Sequence, residues 1–334
     1  MARKATVRAP SNIAFVKYWG ARDLERVVPA NPSISMTLDA CFSRSTVEHL
    51  AAGGEHEIRW RTRFGALEDA PPAFAERVRG HLDLLREWAG CGGRFRVATE
   101  NSFPAAAGIA SSASGFAALT LAVLAALGRD AGDAERSDLA RRSGSGSAAR
   151  SVLGGYVEWP RGEGDGERHA FQLAPAAHWD LRNVVALVAS GPKTTSSLDG
   201  HRRAPTSPYF AGRLERLPAR LAAVREAIAR RDFDRLGAVI EAEAVDLHCV
   251  AMTSQPPIFY WQPGTLAVLE EVRAMRREGV AAYSTMDAGA NVHVICLPQS
   301  QEAVAARLEA LDAVASTIRD GVGEGPVVED EHLF

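Results

Sequence analysis

The sequence predicts a mixed α+β fold in two lobes, and two observations carry this prediction. The first part of the chain alternates short β-prone runs with helical patterns, whereas the part after residue 200 is dominated by amphipathic helices. A continuous apolar strand at residues 181–188 lies between these parts, so we expect the break near residues 185–200, with lobes at 1–187 and 188–334. A chain of 334 residues can bury a large core in this arrangement.

The first lobe is predicted from period-2 and period-3.6 patterns. β-branched and alternating runs predict strands at residues 5–9 (closed by Pro10), 45–49, 57–61 and 93–99. Apolar residues at helical spacing after a proline predict a helix at 71–89. A small-residue helix is expected to end at Leu127 because Gly128 follows, and another helix is expected at 134–142.

The remaining elements follow from the same patterns. A glycine-rich polar run at 161–168 predicts a hairpin tip. Helices are predicted at 211–230, 234–249 and 265–277. Strands are expected at 281–285 and 292–297, around a turn at 287–290.

Composition excludes several classes of protein. With 38 Lys+Arg against 41 Asp+Glu, the net charge of -3 excludes a broadly basic nucleic-acid-binding surface. The longest apolar run, 116–127, is shorter than the about 20 residues of a membrane-spanning helix, and no secretory signal is recognisable. Cys41, Cys91, Cys249 and Cys296 form no CxxC pair, which argues against a zinc site or disulfide scaffold and fits a reducing cytoplasm.

The run PAAAGIASSASG at residues 104–115 stands between a predicted strand and a long predicted helix. Backbone N–H groups at a helix N-terminus lack partners and attract anions, and small residues let phosphate oxygens approach. The run therefore predicts a phosphate cradle, although no lysine follows the glycine as in a P-loop. Alternatively, the small residues serve close helix packing.

A second run, SGSGSAARS at 143–151, exposes amides and hydroxyls beside Arg150, which can contact a carboxylate or phosphate through two N–H groups. A flexible linker with a surface arginine is the alternative. The strand-like sequence VLGGYVEW at 152–159 follows directly and weakens that alternative.

Two further segments carry isolated charged residues. In NIAFVKYWG at 12–20, Lys17 ends an apolar strand and needs an anionic partner if it is buried; a solvent-reaching edge lysine is the alternative. In STMDAGAN at 284–291, Asp287 lies in a tight turn, where aspartate commonly serves only the turn.

Taken together and in this order, these segments resemble the diphosphomevalonate decarboxylase family of the GHMP kinase superfamily. The matching motifs are APSNIAFVKYWG at 9–20, NPSISMTL at 31–38, the loop at 101–114, SGSGSAARS at 143–151, GYVEW at 155–159, TSP at 206–208, PPI at 256–258 and MDAG at 286–289. The resemblance covers roughly residues 5–300. It implies the two-lobed GHMP-kinase fold, with an N-terminal lobe like ribosomal protein S5 domain 2 and a ferredoxin-like C-terminal lobe.

The resemblance also implies an activity. It is the ATP-dependent decarboxylation of 5-diphosphomevalonate to isopentenyl diphosphate, a carboxy-lyase reaction of the mevalonate pathway. ATP phosphorylates the 3-hydroxyl, and the phosphate then leaves as carbon dioxide is lost. ATP and Mg2+ are the implied cofactors, and a phosphorylated mevalonate is the implied partner, with no nucleic acid or membrane. A cytoplasmic homodimer is expected.

Site residues carry over from the matching motifs. Asp287 is expected to act as the base for the 3-hydroxyl, Lys17 to stabilise charge beside it, and Arg150 to hold the substrate carboxylate. The expected ATP contacts are Ser102, Ala107, Gly108, Ala110, Ser111 and Ser112. The expected substrate contacts are Asn12, Tyr18, Ser145, Gly146, Ser147, Arg150 and Ser197. No protein ligand of Mg2+ is assigned, since the ion is expected to bridge phosphate oxygens.

Of the departures from the family pattern, two replace cationic residues. Ala21 stands where the family commonly has lysine, and Leu198 stands where several bacterial members have arginine. Arg22, Lys193 or Arg203 could supply the missing cation at the terminal phosphate. The missing cation keeps a 5-phosphomevalonate decarboxylase open as an alternative. A mevalonate-type 3-kinase and a non-catalytic ligand-binding relative are further alternatives, although the retained Asp287, Lys17 and Arg150 argue against both.

Overall fold

The computed structural model describes residues 3–61, 65–104, 109–160, 169–188 and 195–334. Its strands are β1 (Arg3–Val16), β2 (Ala21–Asp23), β3 (Val28–Pro29), β4 (Ser33–Leu50), β5 (Glu57–Arg61), β6 (Glu68–Asp69), β7 (Arg94–Asn101), β8 (Tyr156–Trp159), β9 (Phe171–Ala174), β10 (Arg182–Leu187), β11 (Ala282–Thr285), β12 (Val292–Cys296), β13 (Ser316–Gly321) and β14 (Val327–Glu329). Its helices are α1 (Pro72–Ala89), α2 (Ser111–Leu127), α3 (Asp133–Arg141), α4 (Ser197–Arg203), α5 (Phe210–Arg230), α6 (Phe233–Thr253), α7 (Pro263–Arg277) and α8 (Gln301–Glu309).

The larger sheet has the strand order β14-β1-β4-β7-β5-β6, with β8 and β9 added beside β4. Helices α1 and α2 bury their apolar residues in the same core as β1, β4 and β7. β1 does not end at Pro10 as predicted but runs on to Val16, because a shift of register between Pro10 and Asn12 accommodates the missing N–H. β4 likewise joins the predicted strand at 45–49 with the NPSISMTL motif in one long strand.

The smaller sheet is antiparallel, with the strand order β11-β12-β10-β13. Arg182 of β10 pairs with Cys296 of β12 and with Gly321 of β13, so β10 belongs to this sheet. The expected lobe boundary at 187/188 leaves β10 in the first lobe. We propose that the boundary lies before Arg182, because hydrogen bonding joins β10 to the second sheet. The chain then returns to the first sheet, where Glu329 of β14 pairs with Thr6 of β1.

The mixed α+β class is confirmed, and the predicted helices form with small differences at their ends. Gly128 adopts the left-handed φ of 62° and ends α2, as expected. α7 begins at Pro263 because Gln262 forms a capping box with Thr265. Helices α4 and α8 are not among the predicted elements, although the N-cap Ser196 and the spacing of Val304 and Leu308 are helix signals. The run at 161–168 lies outside the described residues. Among the described helices, none has the length and apolar character that crossing a bilayer requires.

Candidate active site

Lys17 and Asp287 form a close ion pair, with Lys17 Nζ 2.8 Å from Asp287 Oδ1. Lys17 follows the last residue of β1, and Asp287 follows β11 in the smaller sheet, so the pair joins the two sheets. The lysine side chain is only 1% exposed, whereas the aspartate is 25% exposed. Burial lowers the pKa of the Lys17 ammonium, although Asp287 opposes this effect.

The Asp287 carboxyl experiences opposing influences. Burial alone would raise its pKa, but Lys17 and, more weakly, His293 and Arg150 outweigh burial and hold the pKa below its usual range. The carboxylate is therefore ionised near neutral pH and can accept a proton from a hydroxyl that displaces or joins Lys17.

Arg150 is a buried cation whose hydrogen bonds within the described chain go to neutral oxygens. Its Nη2 donates to Asn12 Oδ1 at 3.0 Å, its Nε donates to Ser35 Oγ at 2.9 Å, and its Nη1 donates to Ser33 Oγ. Burial lowers the Arg150 pKa to about 10, with Asp287 opposing. A desolvated guanidinium held by neutral partners is suited to binding an anion.

These charged residues face one cavity of about 420 Å³. Ten of the residues predicted from the sequence line it, namely Lys17, Tyr18, Ala110, Ser112, Ser145, Gly146, Ser147, Arg150, Ser197 and Asp287. Asn12 is not among the lining residues and acts through Arg150, while its Nδ2 donates to Ser151 Oγ at 2.7 Å. The expected cluster of substrate residues is therefore brought together around one space.

A second cavity, of about 520 Å³, adjoins the first, since Arg77 and Ser112 line both. Its walls are largely apolar and include the aromatic side chains of Trp60, Phe74, Phe103 and Phe116. Such a space accepts a flat aromatic ring by stacking and burial.

Ser111 and Ser112 open α2 where the two cavities meet. No side chain caps this helix, and Ala110 before it has a left-handed φ of 51°, which is strained for a residue with a Cβ. The hydroxyl of Ser145 donates to Ser112 Oγ at 3.2 Å and so joins the two small-residue runs. The helix N-terminus is therefore directed to the junction, as a phosphate cradle requires.

Three other residues are expected to contact ATP: one lines neither cavity, and two lie outside the described residues. Ser102 accepts from the Phe42 N–H at 2.9 Å and donates to the Ala40 carbonyl at 2.7 Å, so its hydroxyl braces β4 and lines neither cavity. Ala107 and Gly108 lie outside the described residues.

The close packing of Tyr18 accounts for the absence of a side chain at Gly146. A Cβ at Gly146 would lie 2.6 Å from the Tyr18 ring and 2.7 Å from the Trp159 ring. Tyr18 packs edge-on against Trp159 and stacks on His201 at 4.0 Å between ring centroids. Burial raises the pKa of Tyr18, so its hydroxyl stays a neutral hydrogen-bond donor at the cavity wall.

Sequence reasoning missed Arg77 and His201. Arg77 looks like a surface residue of an amphipathic helix, but its guanidinium lies 5.0 Å from the Phe116 ring centroid and lines both cavities. His201 lies on α4, a short helix that begins after the N-cap Ser196. No local pattern could have indicated either residue, because tertiary packing brings them to the site.

The structure also shows where the two departures from the family pattern and the cations that could compensate for them lie. Leu198 lines the first cavity, whereas Ala21, Arg22 and Arg203 do not. Arg22 donates to the Pro29 carbonyl and Arg203 to the Pro256 carbonyl. Lys193 lies outside the described residues. The described cations that line this cavity are Lys17, Arg77 and Arg150.

Two family models match the chain in succession. The diphosphomevalonate decarboxylase-like N-terminal domain matches residues 9–170, and the mevalonate 5-diphosphate decarboxylase C-terminal domain matches residues 183–328.

Two relatives with decarboxylase names match most of the chain. The chain is 38% identical over 321 residues to the diphosphomevalonate decarboxylase of Ganoderma lucidum, and the match covers 89% of this chain and 78% of the relative. It is 35% identical over 292 residues to the phosphomevalonate decarboxylase of Haloferax volcanii, which covers 87% of each chain.

Solved structures resemble the whole chain. The mevalonate diphosphate decarboxylase of Enterococcus faecalis, described for ATP binding mediated by mevalonate diphosphate, has a TM-score of 0.88 and 36% identity, covering 99% of this chain and 100% of that chain. A structure described as MDDEF in complex with MVAPP, AMPPCP and magnesium has a TM-score of 0.89 and 37% identity, with the same coverage. The chain with its two adjoining cavities therefore belongs to the diphosphomevalonate decarboxylase family and has the two-lobed fold of the GHMP kinase superfamily.

Proposed function

We propose that this protein catalyses the ATP-dependent decarboxylation of 5-diphosphomevalonate to isopentenyl diphosphate. The observation that carries the proposal is one cavity lined by the Lys17–Asp287 pair and by buried Arg150, beside an aromatic cavity that shares Arg77 and Ser112. Relatives named for this reaction, and a relative complexed with MVAPP and AMPPCP, support the choice of substrates.

In the first step, Asp287 accepts the proton of the 3-hydroxyl as that oxygen attacks the γ-phosphorus of ATP and ADP departs. Lys17 lies 2.8 Å from this carboxylate, so its ammonium stabilises the charge that develops on the attacking oxygen and the transferred phosphoryl group. Because the pKa of Asp287 is held low, the carboxylate is the form present at the start of the reaction.

In the second step, the C3–O bond to the new phosphate breaks and the phosphate leaves with that electron pair. The electrons of the bond to the carboxylate carbon form the new double bond, and carbon dioxide departs. Arg150 orients the carboxylate through its guanidinium, which Asn12, Ser33 and Ser35 hold in place. Tyr18, Ser145, Ser147 and Ser197 offer hydroxyl groups to the phosphorylated end of the substrate.

The aromatic cavity would hold the adenine, and the N-terminus of α2 with Ser111 and Ser112 would hold the phosphates. Arg77, at the boundary of both cavities, would contact the transferred phosphoryl group.

Magnesium fits this junction. Among the described residues no three His, Cys, Asp or Glu side chains form a metal cluster, but the Ser112 and Ser145 hydroxyls lie 3.2 Å apart where phosphate oxygens would be. When bound, the ion neutralises charge on the phosphate oxygens. The relative complexed with AMPPCP and magnesium supports this assignment.

The decisive experiment offers mevalonate, its 5-phosphate and its 5-diphosphate to the enzyme, with ADP and carbon dioxide measured together. We expect equal amounts of ADP and carbon dioxide and the highest kcat/KM with the diphosphate. ADP without carbon dioxide would indicate a 3-kinase. A large preference for the 5-phosphate would instead assign the activity named for the Haloferax volcanii relative, and no turnover with any of them would indicate a non-catalytic binder.

We further propose a cytoplasmic homodimer. None of the four cysteines forms a disulfide, as in proteins of a reducing compartment, which supports the location. The dimer rests on family resemblance, and light scattering after size-exclusion chromatography tests it: a mass of twice 35.7 kDa is expected, and a mass of 35.7 kDa contradicts it.

A further inference from the structure

Side chains from other parts of the fold form hydrogen bonds to the backbone N–H and carbonyl of Lys17. Its N–H donates to Glu243 Oε1 at 3.1 Å, and its carbonyl accepts from Arg213 Nη2 at 2.8 Å and from Asn31 Nδ2 at 2.9 Å. Since β1 ends at Val16, these bonds begin where the strand ladder stops. The peptide that carries the reactive lysine is thus fixed by side chains of α5 and α6.

Arg213 and Glu243 also pair with each other, and both side chains are 0% exposed. The second carboxylate oxygen of Glu243 accepts from Arg220 at 2.6 Å, and Arg220 pairs with Asp246 at 2.8 Å nearer the surface. The network therefore runs from the helices of the second lobe to the peptide at the end of β1.

Stability alone does not account for such a pair. Removing two charges from water is costly, and apolar residues of similar volume often stabilise a core equally well. What apolar residues cannot do is form directional hydrogen bonds to both the N–H and the carbonyl of Lys17.

We propose that Arg213 and Glu243 are positioning residues, which fix the Lys17 peptide so that its ammonium stays opposite Asp287 during phosphoryl transfer. The inference rests on the proposed function of Lys17. Neither residue lines the cavity, so both act through Lys17.

The charge of Glu243 also affects Lys17, in addition to the hydrogen bond to its backbone. Glu243 is an anion that favours the charged form of Lys17, and Arg150 opposes it. Arg150, His293 and Lys17 are the charged or titratable groups that act on Asp287. Neutralising Glu243 therefore lowers the Lys17 pKa further, so that the ammonium loses its proton at a lower pH.

The first test is Glu243→Gln, which keeps an acceptor for the Lys17 N–H while removing the charge. We expect kcat to fall by roughly 10- to 100-fold with the KM for ATP within about twofold. The alkaline limb of the kcat/KM pH profile is expected to move to lower pH, because Glu243 favours the charged form of Lys17. Glu158→Gln is the matched control, because Glu158 is equally buried and pairs with Arg225 of the same helix α5 but does not contact Lys17. Its pH profile should match that of the wild type.

The second test is the double variant Arg213→Met with Glu243→Met. It replaces the ion pair with an apolar pair, so thermal unfolding reports whether packing is restored. We expect stability to recover relative to Glu243→Met alone, while kcat stays low because the bonds to the Lys17 peptide are absent. Recovery of kcat in step with stability, or a Glu243→Gln enzyme with the wild-type pH profile, would overturn the proposal. Failure of the proposed function is separate, since it would leave the wild type without decarboxylase activity.

Discussion

A single oxygen of Asn12 accepts hydrogen bonds from two nitrogens of Arg150, from Nη2 at 3.0 Å and from Nε at 3.3 Å. Asn12 lies on β1, and Arg150 follows the short 3-10 turn at Gly146–Ala149. The conformation of a long flexible side chain is thereby fixed by a short one on a rigid strand. A cation held in this way loses little freedom when it binds a carboxylate.

Asn12→Ala should test this arrangement. We expect the Kd for the phosphorylated mevalonate to rise by about tenfold while ATP binding changes little, because the guanidinium loses both hydrogen bonds to Asn12 and keeps those to Ser33 and Ser35. Isothermal titration with each ligand separately measures both values. An equal rise in the Kd values of both ligands would show that Asn12 stabilises the fold as a whole and does not specifically position Arg150.

Arg150→Gln should separate the two chemical steps. Gln cannot form the charged, two-pronged contact with the substrate carboxylate, so the release of carbon dioxide should fall by orders of magnitude. Phosphorylation of the 3-hydroxyl needs Asp287 and Lys17, and some ADP release should persist. The ratio of carbon dioxide to ADP, measured in one reaction, is expected to fall below one. A ratio that stays at one, with both products equally reduced, would place Arg150 in the phosphoryl-transfer step.

Asp287→Asn should abolish the base while preserving the shape of the site. We expect kcat to fall by about 100- to 10,000-fold, as for the loss of a general base, with ATP binding largely unchanged. Asp180→Asn is a suitable control because Asp180 is an exposed partner of Arg182 that lines neither cavity. Wild-type turnover in the Asp287→Asn enzyme would reject the assigned role.

The pH dependence of the Lys17–Asp287 pair has a definite sign. Both pKa values are below their ordinary values, so kcat/KM should rise as pH increases through the low Asp287 pKa and fall as pH increases through the lowered Lys17 pKa. Lys17→Arg should move the alkaline limb to higher pH, since arginine stays protonated. In Lys17→Met, burial of Asp287 is no longer opposed by the ammonium, so the acid limb should move to higher pH. Profiles recorded at constant ionic strength test both shifts, and limbs that stay in place would contradict the assignment.

The sequence indicates most helices, because these follow from local periodicity. Its short motifs also indicate Lys17, Arg150 and Asp287, which line one cavity, but not Arg77, which lines it too. Lys17 illustrates the limit of prediction from the local sequence. Its position at the end of an apolar strand predicts that burial needs an anion, but only the tertiary fold brings Asp287 to it across 270 residues. Arg77 and Glu243 lie on ordinary amphipathic helices, and their roles depend on tertiary packing, which places Arg77 at the junction of the two cavities and Glu243 against the Lys17 N–H. Pro10 was expected to end a strand, yet a shift of register let β1 continue.

Gly146 provides a packing test of the site. An added methyl group would lie within 2.6–2.8 Å of the Tyr18 and Trp159 rings, and Trp159 is fully buried, so Tyr18 is the ring that has to move. Gly146→Ala should therefore cost about 1–3 kcal/mol in the free energy of unfolding and weaken binding of the phosphorylated mevalonate. Gly132→Ala is the control, because Gly132 has an ordinary φ of -70° and nothing lies within 4 Å of an added Cβ. Chemical denaturation gives the free energy, and fluorescence of the nearby aromatic residues follows ligand binding. If Gly146→Ala binds substrate and unfolds like Gly132→Ala, the close approach of Tyr18 to this glycine is not needed for the site.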